Sequence, residues 1–159
     1  RKEFALGNEL KSVWWGTTVE VLLALGRNEA PTTENLKDLP PELVHLLNSY
    51  NDAEVVRQGV ISYMASTAQN SRDDVFYSAL AAYHGDIESA NALMRGAMGK
   101  VSTSIFWAWL PVFDKMRATE DFRQMLVDFG LVDYWKQHGW PAVCQPHNDS
   151  FSCDTKSQH

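Results

Sequence analysis

Two cysteines lie near the end of the chain, Cys144 and Cys153, with His147 between them and His159 at the last position. Four sulfur and imidazole ligands would suit zinc, but this spacing matches no standard zinc pattern, and the fourth ligand falls at a chain end, where order is poor. A thiol nucleophile with a histidine base requires a rigid pocket, which the polar stretch Gln145 to Ser152 does not offer. Free thiols are one remaining reading. A local Cys144–Cys153 disulfide is the favoured one, because closing so short a loop stabilises by roughly 2–3 kcal/mol. Such a bond persists only in an oxidising compartment. An oxidised pair would therefore imply the periplasmic part of a membrane-anchored protein, and reduced thiols the cytoplasm.

Other titratable groups read as structural. Asp73-Asp74 and Glu120-Asp121 fall at predicted helix starts, where negative charge meets the N-terminal dipole. His84 sits at a predicted helix end, where a cation is favoured. Neither a Gly-x-Ser-x-Gly elbow nor a Gly-x₄-Gly-Lys-Ser/Thr phosphate loop occurs. The expectation is a chain with no catalytic residues, no cofactor and no metal. Six tryptophans remain: Trp14, Trp15, Trp107, Trp109, Trp135 and Trp140. Neighbours on a helix point about 100° apart, so Trp14 and Trp15 rarely share one core, and one of them is a candidate interface anchor. Trp135 and Trp140 are expected to stack a short final helix against the rest.

These residues need elements to hold them. The 159 residues, 45% hydrophobic and 21% charged, suffice for one domain with a core. A net charge of −6 and the absence of a basic run argue against nucleic-acid binding by this segment. The opening Arg1-Lys2-Glu3-Phe4 resembles no export signal and carries no initiating Met, so a piece of a longer protein is expected. Its most apolar stretch, Val19 to Leu25, is too short to span a bilayer.

Helical spacing dominates. Leu10, Val13, Trp14, Val21, Leu22 and Leu25 form one stripe from Glu9 to Leu25, closed by Gly26. Arg27 to Pro40, with two prolines, reads as a linker. Helices are then predicted from Pro41 to Leu47, from Asp52 (capped by Asn51) to Ala65, from Ser71 to about His84, and from Ile87 to Met98. Gly85-Asp86 is a tight turn between the last two, with Asp86 as cap. Ile105 to Met116 is broken at Pro111. Thr119 caps a helix to Phe129, and Leu131 to His138 forms the last.

The stretch Val75 to Ala90, with Gly85-Asp86 as its turn, Ala90 at the close approach, and Met94 and Ala97 beyond, resembles a tetratricopeptide repeat. Ala81 and Ser102 depart from that pattern, where an aromatic and a proline are usual. Phe122-Arg123-Gln124-Met125-Leu126, Gly130-Leu131-Val132-Asp133-Tyr134-Trp135, Gly139-Trp140-Pro141 and Cys144 resemble the C-terminal end of bacterial tetratricopeptide-containing proteins that carry winged-helix or nucleotide-cyclase modules upstream. The resemblance runs from about Asp73 to Cys153. It implies an all-α, tetratricopeptide-like array of antiparallel helical hairpins with a C-terminal capping helix. It also maps groove-facing positions onto Arg72, Val75, Ala79, Ala82 and Tyr83.

The expected organisation is an N-terminal helix and proline-containing linker (1–40), a helical domain (41–143) and a polar tail (144–159). The expected function is a non-enzymatic regulatory or interaction domain of a larger bacterial signalling or transcriptional regulator. Its partner would be another protein or a second copy of itself, with no nucleic acid or membrane contact by this segment. The alternatives are an accessory domain of a nucleotide cyclase or other enzyme, or a purely structural dimerisation unit.

Overall fold

The computed structural model describes residues 16–148 and 150–154. Trp14, Trp15 and His159 lie outside them. The protein is mostly helical, with one small two-stranded sheet at its C-terminal end. In chain order the elements are α1 (16–26), α2 (Thr33–Leu36), α3 (Pro41–Asn48), α4 (Ala53–Met64), α5 (Ser71–Tyr83) and α6 (Ile87–Lys100). A 3-10 run, Ser102–Trp109, and a 3-10 turn, Pro111–Phe113, lead into α7 (Asp114–Arg117), α8 (Glu120–Asp128) and α9 (Leu131–His138). Strands β1 (Cys144–His147) and β2 (Ser150–Cys153) follow. No described helix is long and apolar enough to cross a membrane.

The helix starts follow from side chains that satisfy otherwise orphaned N–H groups. Asp52, rather than the expected Asn51, caps α4 by accepting from the Glu54 and Val55 amides at 3.1 Å each. Asn70, rather than Ser71, caps α5 by accepting from the Asp73 amide at 3.0 Å. Asp86 caps α6 and Thr119 caps α8, as their sequence positions predict. Pro41 occupies the first turn of α3, where its missing N–H costs nothing. The stretch read as a linker holds one further turn of helix, α2, which seats Leu36 at 2% exposure in the core.

Helix α5 is the centre of the molecule. Every residue from Asp73 to Ala82 is buried, which is what a helix apolar on most of its circumference requires. α3, α4, α6 and the Pro111–Phe113 turn all pack on it. Gly85, at φ +80°, makes the reversal from α5 to α6 in a backbone region that costs glycine little. The two helices then run back antiparallel: Ser78 Oγ donates to the Ala90 carbonyl at 2.7 Å, and seven residues earlier Ser71 Oγ donates to the Ala97 carbonyl at 3.2 Å. Ala90 and Ala97 are fully buried, so small side chains set the spacing of this hairpin.

The C-terminal segment differs from the expected polar tail. Residues Cys144 and Cys153 sit opposite each other in an antiparallel hairpin and are joined by a disulfide. Trp140 packs between Trp135 of α9 and Phe151 of β2, with tilted rings and centroids 5.7 Å apart on each side. Arg117, 3% exposed, fastens the hairpin to the helices. Its guanidinium donates to the carbonyls of Ala108 (2.6 Å), Leu110 (3.1 Å) and Asp154 (3.2 Å), and pairs with Asp114. Burial lowers its pKa, and Asp114 opposes that shift.

Candidate binding groove

Three helices, α3, α4 and α5, enclose an open groove of about 890 Å³. Leu46 of α3 packs closely against α4 on one side, and an aromatic pair joins α4 to α5 on the other. The close approach is at Gly59, in the middle of α4. A Cβ there would lie 2.5 Å from both terminal methyls of Leu46. Glycine costs a helix interior about 1 kcal/mol relative to alanine, and here it buys the contact between the two helices.

The far wall is a pair of tyrosines. Tyr63 of α4 and Tyr77 of α5 stack face to face, with centroids 3.8 Å apart and planes 4° from parallel. A polar network beneath them fixes the stack. The Tyr63 hydroxyl donates to Asp74 Oδ1 at 2.7 Å and accepts from the Asn70 amide at 3.2 Å. Asp74, fully buried, also accepts from Lys100 Nζ of α6 at 2.6 Å. Gly96 leaves room for that ion pair, since a Cβ would come within 3.3 Å of Asp74 Oδ2. One buried carboxylate thus joins α4, α5 and α6. Removal from water raises the Tyr63 pKa strongly, and the hydrogen bond to Asp74 adds to the effect.

The charges that reach the groove are mostly acidic. Glu42, Glu54 and Asp73, each in the first turn of its helix, line it together with His45, and among the described residues no Lys or Arg does. Asp73 is 7% exposed and is held by Arg72 Nε at 3.0 Å and Asn70 Nδ2 at 2.7 Å. Glu54 is exposed and bonds Arg57 at 2.7 Å and Gln58 at 3.0 Å, contacts that lower its pKa. Desolvation raises the Tyr77 pKa, and the nearby charges of Asp73 and Glu42 raise it further, so both carboxylates act on this ring. The arrangement offers a hydrophobic floor, a tyrosine face and negative charge.

The five positions that the resemblance assigned to a groove do not form one. Val75, Ala79 and Ala82 are at most 2% exposed, because α5 is packed on nearly all sides. Tyr83 points to the opposite end, where its hydroxyl bonds Asn28 and Asn51 Oδ1. Arg72 alone lies beside the observed groove, as partner to Asp73. Asp73 and Asp74, expected only to cap a helix, are buried, Asp73 in the groove wall and Asp74 behind it. His84 does sit at the α5 C-terminus, with Nε2 2.6 Å from the Tyr50 carbonyl oxygen. The cysteines, spent in the disulfide, offer neither ligand nor nucleophile. Sequence reasoning missed Glu42, Tyr63, Tyr77 and Gly59. Gly59 carried the one usable signal, a lone glycine inside a helical pattern, which marks a packing constraint.

No known family model, curated protein or solved structure matches the chain.

Proposed function

We propose that this protein is a non-enzymatic interaction domain in which a tetratricopeptide-like pair of helical hairpins, α3–α4 and α5–α6, presents the α3–α5 groove to a partner protein. The observation that carries this reading is the groove itself. It is a preformed concave surface with an apolar floor and an aromatic wall, braced from behind by the Tyr63–Asp74–Lys100 network. Buried polar networks rigidify what they hold, and a rigid groove binds without first paying to order itself. The small-residue contact of α5 with α6, through Ser78, Ala90 and Ala97, supports the helical-repeat part of the reading. The resemblance of the C-terminal segment extends it: the domain would belong to a larger bacterial signalling or transcriptional regulator and would bias an output module through the partner it binds.

A photo-crosslinking amino acid at Ser62, exposed on the groove side of α4, tests the reading in native cells. A discrete protein adduct from position 62, absent from a control at Glu88 on exposed α6 surface, is expected. Adducts that are absent, or identical from both positions, would count against an interaction role for this surface.

A further inference from the structure

From the charge distribution of this groove, and resting on its reading as an interaction surface, we infer that its occupant is a peptide segment of a partner protein carrying a Lys or Arg beside apolar side chains. Four ionisable groups other than tyrosine line the groove: Glu42, Glu54 and Asp73 against His45. Two of the carboxylates are already engaged, Glu54 by Arg57 and Asp73 by Arg72. Glu42 makes no ion pair among the described residues. It sits where its charge and that of Asp73 converge on Tyr77.

A cation at this end meets one uncommitted carboxylate, Glu42, and a second within reach, Asp73, a combination that attracts ammonium and guanidinium groups. The rest of the surface, Leu46, Val55 and the Gly59 backbone, has no charge to satisfy and suits neighbouring apolar side chains. From Glu54 to Tyr63 the groove follows ten residues of α4, about 14 Å at the helical rise. That length takes two to three turns of a partner helix, or four to five residues of extended peptide. The depression between α8, α9 and the hairpin contrasts with it, because there Arg123 pairs with Glu120 and Lys136 with Asp133, leaving the charges balanced.

The test selects random phage-displayed 15-residue peptides on the immobilised chain. Synthetic copies are then measured against the native protein, Glu42→Gln, Glu42→Lys and Ser62→Trp, the last of which fills the groove. Glu42 and Ser62 are exposed, and thermal melts verify that each variant folds. Supporting results are peptides enriched in Lys or Arg next to apolar residues, binding about fivefold weaker to Glu42→Gln and about tenfold or more weaker to Glu42→Lys, with affinity falling as salt rises. Peptides that Ser62→Trp blocks, but that lack basic residues or bind Glu42→Lys undiminished, would overturn the cationic assignment while leaving the interaction reading intact. Peptides that Ser62→Trp does not affect would remove both.

Discussion

The buried ion pair behind the groove sets up an asymmetry that mutation can read. The side chain of Asp74 is 1% exposed and that of Lys100 38%. Removing the cation therefore strands a charge with no access to water, whereas removing the anion lets Lys100 swing into solvent. Breaking a fully buried pair from one side costs about 3–5 kcal/mol. The Tyr63 hydroxyl still donates to Asp74 and Lys100 is partly solvated, so Lys100→Met is expected to cost about 2–3 kcal/mol at neutral pH. Asp74→Asn keeps an acceptor for Tyr63 and should cost about 1 kcal/mol. In that background Lys100→Met should cost under about 1 kcal/mol, a coupling of about 2 kcal/mol. Urea unfolding followed by far-ultraviolet circular dichroism gives each value, with an unchanged m as the condition for reading the midpoints as stability. Lys115→Met, at an exposed position, is the control. If Lys100→Met matches that control within about 0.5 kcal/mol, or if the two changes are additive to that precision, the reasoning fails.

Other predictions concern the groove, the tail and alkaline pH. Gly59→Ala gains about 1 kcal/mol of helix propensity but must displace the Leu46 methyls into the groove, so stability should stay within about 1 kcal/mol of the native chain. A full gain of that amount in melting experiments would mean that α3 and α4 are not in close contact. Opening the Cys144–Cys153 loop, of sequence separation 9, by Cys144→Ser with Cys153→Ser should cost about 2–3 kcal/mol on the loop-entropy account. Identical urea midpoints with and without the bond would refute that. Tyr63 and Tyr77 have pKa values raised above the ordinary 10.0, first by burial and then by nearby carboxylates. Their contribution to stability is complete below the unfolded value near 10 and is lost as pH rises above it. Spectrophotometric titration should find these two tyrosines ionising late, together with unfolding. Normal ionisation of all five tyrosines in the folded chain would contradict the buried stack.

Much of the helical frame was legible because it is written locally. Pro41, Asp86, Thr119 and the glycines after α5 and α8 each act within one turn of their own position, so residue type alone locates the boundaries. The cap errors, Asn51 for Asp52 and Ser71 for Asn70, are one-residue choices between neighbours of similar chemistry. Breakage around Pro111 was also readable, although the run before it is 3-10 rather than α-helical. The groove was not legible. Its residues come from three helices, and only the packing of α4 against α3 at Gly59 and against α5 at the tyrosine stack brings them together. Mapping groove positions by family pattern placed them on α5, where a surface helix of a regular array would be open. In this chain α5 is enclosed, and its nearly uniform apolar circumference was the sequence feature that said so. The hairpin escaped a search for alternating residues because each strand is four residues long and is defined by its covalent closure rather than by its pattern.

That closure changes how the C-terminal end bears load. Tension applied at Asp154 passes through Cys153 and across the sulfur–sulfur bond to Cys144, bypassing the hydrogen bonds that pair β1 with β2. The eight residues between the cysteines add no extension while the bond is intact. Force is delivered instead to Val143, whose carbonyl receives the Asp154 amide at 2.7 Å, and to Arg117, which holds the Asp154 carbonyl against the helices. The tail is therefore a short, stiff coupling into the helical body: a pull on it reaches α7 and the Trp135–Trp140 contact before any strand can peel.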